Sequence, residues 1–204
     1  MDCITLLSDF GLHDASVAYA KGIIKRYTPQ VPIIDITHSI QPFHLQQAAC
    51  VLGSGYSGFP EKTCHVILFD VFYEKESTLL LCEKNEQYFL APDNGILSLA
   101  FDASIDKVWS CYKIHAAEGF KTWLHKVGEL LKALEKTGPE KLQLEACELK
   151  NAPTHWLPRI EGNTVECHVI HIDRFENVVL NITKKQFEKI GRNRNFKIQF
   201  MRNE

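Results

Sequence analysis

Three short runs constrain the fold more than anything else in this chain: "CITLLSD", "VPIIDIT" and "CHVILFD". Each is almost wholly apolar, too short for an ordinary helix, and carries an aspartate at or near its end. A strand buried on both faces reads as such a continuous run, not as an alternation. Between the runs lie segments with apolar residues at helical spacing. One is Ser16 to Tyr27, which stops before Pro29. Another is "PFHLQQAACVLGSGY", with Pro42 near its start, where proline is tolerated. "STLLLCEKNEQYFLAPDNGILSLAF" reads as a hairpin, a loop and a short helix. "KVWSCYKI" is a further strand, and "GFKTWLHKVGELLKALEK" an amphipathic helix closed by Gly138-Pro139. The expected fold class is α/β, a mainly parallel sheet with helices on both faces. Sheets of that kind bind ligands outside the carboxyl ends of their strands.

The pattern changes at "NAPTHWLPRIEGN", which has two prolines and no clear period. We place a boundary there, between an α/β ligand-binding domain over 1–152 and a small β-rich domain over 153–204. In the second, "TVECHVIHID", "NVVLNI" and "NFKIQFM" read as strands. Runs such as "VILF" and "TLLLC" are far too short to span a bilayer. The start of the chain carries Asp2 and lacks a basic region, which speaks against a secretory leader. The net charge is −2 with no basic stretch, so nothing points to nucleic acid. Seven cysteines with no C-x-x-C pair sit mostly in apolar segments, as expected of reduced core thiols in a cytoplasmic protein.

Asp9, Asp35, Asp70 and Asp93-Asn94 end apolar segments, and Asp173 and Asn177 do so in the second part. Any one of them is explained as a turn former or helix cap. Several converging on one sheet edge suggest a ligand site. An ionised carboxylate can accept both hydroxyls of a ribose, another can hold an ammonium, and a serine can donate to a carboxylate. In "SDFGLHDAS", Gly11 supplies the turn, while Asp14 is either a helix cap or a ligand group. His168 and His171 are three apart on an expected strand, so they face opposite sides and make a poor metal pair. No metal site is expected. His125 reads as structural, His38 as capping or lining the site, and His115 as ending a strand where a strand-end site would lie. No dinucleotide fingerprint, P-loop, nucleophile elbow or zinc-helix motif is present, and "GSGYSG" reads as the loop capping a helix.

"SDFGLHDASVAYAKG", "IIDITHSIQPFHLQQAACVL", "FLAPDNGILS" and "HIDRFENVVLNI" together resemble, in order, four motif blocks of the SAM hydroxide adenosyltransferases. These are adenosine-forming S-adenosyl-L-methionine hydrolases, related to fluorinases and chlorinases. The resemblance implies a Rossmann-like domain, then a small β domain that is truncated here. It also implies a homotrimer with sites between subunits, and attack of water or halide on C5′ of S-adenosylmethionine, which is a substrate. No separate cofactor is implied. By motif, Asp9 would bind the ribose hydroxyls, Ser16 the methionine carboxylate and Asp173 the methionine ammonium. Asn177 would sit beside the ribose or the methionine. Asp70 and His115 would flank the attacking water.

Three stretches depart from the family pattern. "DVFYEKEST" replaces a Pro-Gly-Val-Gly-Thr loop, with Ser77 where an arginine is expected and Lys75 the nearest cation. "IHAAEGF" keeps His115 but replaces Gly-Arg-Asp with Ala116, Ala117 and Glu118. The family's adenine-pocket segment has no counterpart after "NFKIQFMRNE". The expected activity is hydrolysis of S-adenosylmethionine to adenosine and methionine. The alternatives are a non-catalytic S-adenosylmethionine or adenosine binder, and an oligomeric scaffold that keeps only the fold.

Overall fold

A computed structural model describes residues 1–101, 104–151, 157–192 and 194–200. The chain forms two compact units, Met1–Ala152 and Pro153–Glu204. The first is built on a seven-stranded sheet. Its strands are β1 (Ile4–Ser8), β2 (Ile33–Thr37), β3 (Cys64–Leu68), β4 (Glu76–Lys84), β5 (Gln87–Pro92), β6 (Lys107–His115) and β7 (Glu145–Ala146). They lie in the order β2-β1-β3-β5-β4-β6-β7. β2, β1, β3 and β5 pair in parallel, and the hairpin strand β4 pairs antiparallel to both β5 and β6. β6 therefore runs in the same direction as β5. The carboxyl ends of β1, β3, β5 and β6 all reach one edge of the sheet.

The helices are α1 (Ser16–Tyr27), α2 (Leu45–Gly55), α3 (Ile96–Phe101) and α4 (Gly119–Thr137). Ile4, Leu6, Val66 and Leu68 join the core cluster that holds Ile24 of α1 and Trp123 and Val127 of α4. Side chains alternate along a strand, so Thr5, Leu7, His65 and Ile67 point to the opposite face. There His65 and Phe89 meet Tyr56, and Tyr56 meets Phe101 of α3. Both faces of the sheet are thus covered. This is why β1 and β3 are mostly apolar and wholly buried.

Several expectations need correction. Pro42 precedes α2, whose first turn is capped instead by His44, with Nδ1 accepting the Gln47 amide at 3.1 Å. Asp35 lies within β2, not at its end. Gly53 and Gly55 belong to α2 and not to a capping loop, and only 56–58 forms a short 3₁₀ turn. Gly53 is small for a packing reason: a Cβ there would stand 2.8 Å from the Ala100 carbonyl oxygen.

The second unit comprises two hairpins and a helix. These are β8 (Arg159–Glu161) with β9 (Thr164–Glu166), β10 (Val169–Ile172) with β11 (Val178–Leu180), and α5 (Lys184–Gly191). "TVECHVIHID" is thus two strands and not one. α5 was not expected from the sequence, although Thr183 and Gln186 form a capping box at its start. In "NFKIQFM", residues 195–200 are not strand, and Met201 lies outside the described residues.

Candidate active site

Ser8 of β1 pairs with Leu68 of β3, so the residues that follow these strands, Asp9 and Phe69-Asp70, emerge side by side. Burial raises the Asp9 pKa above the ordinary carboxylate range. The nearby Asp70 charge raises it further, while hydrogen bonds from its own amide and that of Asp70 oppose both effects. Burial likewise raises Asp70. Burial of these two carboxylates at a sheet edge, and for Asp9 the neighbouring Asp70 charge, make ionisation costly there.

The Asp70 backbone is in the left-handed region, with φ of 44°. A residue with a Cβ is held there only by its surroundings. The fixing contact comes from Asn94, which follows β5. Its side-chain amide donates to the Phe69 carbonyl at 3.1 Å, and its Oδ1 accepts the Ile96 amide at 3.2 Å at the start of α3. The loop beyond Asp70 is tied down at several points. Tyr73 donates its hydroxyl to the Asp93 carbonyl at 2.6 Å, and the Ala116 amide donates to the Lys75 carbonyl at 2.7 Å. Lys150 reaches the same loop, with Nζ 2.8 Å from the Tyr73 hydroxyl and 3.2 Å from both Glu74 carboxylate oxygens. Sequence reasoning looked for a cation at Lys75. Lys150 lies 75 residues further on and could not be associated with this loop by spacing.

The turn after β1 is shaped by Gly11, with φ of 70°, whose amide donates to the His38 carbonyl at 2.7 Å. Asp14 accepts the Ser16 amide at 2.8 Å, so it acts as a local cap before α1. Ser16 is the first residue of that helix, at the end where backbone N–H groups attract anions. Asp35, half-exposed, contacts Lys21 at 2.6 Å and His38 Nε2 at 3.1 Å, the latter at an angle that misses hydrogen-bond geometry. Burial pushes Asp35 up, but these contacts prevail and hold it below the usual range.

His115 is exposed and stands three strand positions from β3. This separation is about 14 Å by ordinary strand spacing. No direct contact joins it to Asp70. Its Nδ1 accepts the Ala117 amide at 3.1 Å, and its own amide donates to Glu118 at 2.9 Å. Glu118, which departs from the family pattern, thereby closes a capping box. Ser77 is fully buried, and its hydroxyl has no protein partner.

Asp173 and Asn177 lie in the second unit, together, at the β10–β11 turn. Asp173 Oδ1 accepts the Phe175 and Asn177 amides at 2.8 and 2.9 Å, and Oδ2 accepts the Asn177 side-chain amide at 2.8 Å. These bonds, the Asn177 side chain first, hold Asp173 below the ordinary carboxylate range. Among the described residues, no group of three or more His, Cys, Asp or Glu is arranged to hold a metal, and no helix is long and apolar enough to cross a membrane.

Two family models match the chain. The SAM hydroxide adenosyltransferase N-terminal domain covers residues 4–127, and the C-terminal domain of the same name covers 167–204. A protein of Methanocaldococcus jannaschii named (R)-S-adenosyl-L-methionine hydrolase is 29% identical over 91% of this chain and 69% of its own length. One of the same name from Salinispora arenicola is 27% identical over 93% and 75%. A crystal structure of an uncharacterized conserved protein from Thermotoga maritima superposes with a TM-score of 0.73 at 28% identity, covering 92% of this chain and 74% of that one. With the first model spanning well over half of its length, this chain belongs to the SAM hydroxide adenosyltransferase family.

Proposed function

We propose that the protein hydrolyses S-adenosyl-L-methionine to adenosine and L-methionine. The observation that carries this reading is the pair of half-buried carboxylates, Asp9 and Asp70, at the carboxyl ends of adjacent parallel strands. Family membership and the hydrolase names of two relatives that align over most of the chain support it.

In this reading Asp9 accepts the two ribose hydroxyls, which disperses the charge that burial and Asp70 make costly. Ser16 and the α1 N-terminus receive the methionine carboxylate. Asp173, already oriented by its turn, holds the ammonium with lone pairs left over, and Asn177 lies beside the ribose or the methionine. Water attacks C5′. The C5′–O bond forms as the C5′–S bond breaks, and its electron pair neutralises the sulfonium. The leaving group is activated from the outset, so the reaction requires no metal, cofactor or covalent intermediate. The protein must align water, C5′ and sulfur, and keep out bulk solvent.

The water's proton goes to Asp70, whose raised pKa suits a base. His115 has a different part. Because Nδ1 accepts a backbone amide, the neutral ring carries its proton on Nε2. Its Nε2 can therefore donate a hydrogen bond but not accept a proton, and at about 14 Å from β3 by strand spacing it does not share one water with Asp70 within a single chain. We further propose that the chain works in the cytoplasm, consistent with its seven free cysteines, and as a homotrimer.

A second reading, binding without turnover, draws on Ser77, a buried hydroxyl where the family pattern has an arginine. Incubation with S-adenosylmethionine and chromatography for adenosine and methionine separates the two. The expected result is both products in equal amounts. Asp70→Asn should lower turnover by about 10²–10⁴-fold, the usual worth of a general base, with adenosine affinity changed only a few-fold. Tight binding without products would favour the second reading. Equal losses of turnover and affinity in Asp70→Asn would make Asp70 a binding group.

A further inference from the structure

Three residues beneath the Asp9 turn form a connected line. Ser8 Oγ lies 2.7 Å from His38 Nδ1, and His38 Nε2 lies 3.1 Å from Asp35 Oδ1. Asp35 is in turn held by Lys21 of α1 at 2.6 Å. Serine, histidine and aspartate are the residue types of a nucleophilic triad, but this line cannot act as one. Ser8 is wholly buried and His38 almost so, which leaves no approach for a substrate to the hydroxyl.

What the line reaches is the backbone around Asp9. The His38 side chain holds Ser8, the residue before Asp9. The His38 carbonyl accepts the amide of Gly11, two residues after it, at 2.7 Å. Ser8 Oγ also accepts the Phe10 amide at 3.4 Å. One residue just beyond the neighbouring parallel strand thus grips the turn on both sides of the carboxylate. Asp9 has left the β1 ladder and has no strand partner of its own to aim it. Without these bonds, the glycine turn and the amides of Asp9 and Asp70 would be left to set its direction.

We infer that His38 is the positioning residue for Asp9, fixing the carboxylate in the orientation that receives the ribose diol. The inference rests on the function proposed above, in which Asp9 is the ribose group. It goes beyond that reading by assigning the grip to a buried histidine that never touches substrate. Ser8 is its contact, and Asp35 with Lys21 its anchor to α1.

Two measurements on the full chain test this. In wild type, calorimetry should show adenosine binding about tenfold more tightly than 2′-deoxyadenosine, the worth of one hydrogen bond to a charged group. In His38→Ala that ratio should fall close to one. Amide hydrogen exchange over residues 8–12 should rise at least about tenfold, while peptides from β3 and β5 stay protected. His38→Asn, whose side-chain amide can occupy the place of Nδ1, should restore most of the ratio. If His38→Ala does not fold, Ser8→Ala removes the same bond, together with the long one from the Phe10 amide, and carries the test through the nucleoside ratio.

An unchanged ratio in a variant, beside a wild type that prefers adenosine, overturns the positioning role and leaves the ribose assignment standing. So does unchanged exchange over residues 8–12. A wild type that binds both nucleosides equally, or neither, overturns the ribose assignment itself, and the inference with it.

Discussion

At the scale of single residues, the molecule holds two kinds of buried titratable group, with opposite effects on stability. His65 is fully buried among Phe59, Tyr56 and Phe89. It bridges Thr5 Oγ1 at 2.7 Å and Gln87 Oε1 at 3.0 Å, so it ties β1 to β3 and β5. Burial depresses its pKa from 6.5 to about 4. Below pH 6.5 the unfolded chain takes up a proton that the native protein refuses, so acid destabilises the fold through His65. Between pH 7 and 4 the loss should be about 3 kcal/mol, read from urea unfolding at each pH. His65→Phe should flatten that part of the profile, and a wild-type curve no steeper than the variant's would refute the assignment. Asp9 and Asp70 act the other way. Their raised pKa values mean the native state holds protons the unfolded chain has released, so they favour the fold at lower pH. Only the difference between wild type and the His65 variant isolates the histidine.

At the scale of elements, helix pairs read from periodicity meet through details that periodicity does not contain. α1 and α4 cross where Gly128 faces Tyr27. A Cβ at Gly128 would lie 2.2 Å from the Tyr27 ring, whose hydroxyl is 2.8 Å from His125 Nδ1. His125 is the residue the sequence marks as structural, and its partner is a tyrosine 98 positions earlier. Glycine inside a helix ordinarily costs up to about 1 kcal/mol relative to alanine. Here the sign should reverse. Gly128→Ala should destabilise by about 1–3 kcal/mol, because the ring must move and the bond to His125 breaks. Gly22 in α1 has open space around it, and Gly22→Ala should stabilise by about 0.5–1 kcal/mol. Denaturant midpoints of the two variants compare these outcomes directly. Equal shifts in the same direction would mean that helix propensity, not the crossing, decides both.

At the scale of the whole molecule, the two units differ in how they are held together. The first has a large buried core, with apolar side chains buried on both faces of its sheet. In the second, none of the described residues is fully buried, and Phe175 and Phe200 are 87% and 79% exposed. Apolar surface on that scale in a small unit usually lies against another surface. The proposed homotrimer would provide one. Light scattering coupled to size exclusion should give about three times the monomer mass, and Phe175→Ser should shift it downward. A monomer in wild type would refute the assembly. The sequence by itself determined the alternation of strands and helices, the sheet buried on both faces and the acidic turn after β1. These depend on local periodicity and on turn residues, which neighbours in the chain dictate. It also placed Asp9 and Asp70 at strand ends, but not beside one another. Their adjacency follows from the pairing of β1 with β3, separated by 60 residues of chain. The antiparallel β4 between β5 and β6, the roles of His38, Asn94 and Lys150, and the distance from Asp70 to His115 were likewise decided only by the tertiary structure. Contacts between residues far apart in the chain depend on which strands lie side by side, and no local pattern records that order.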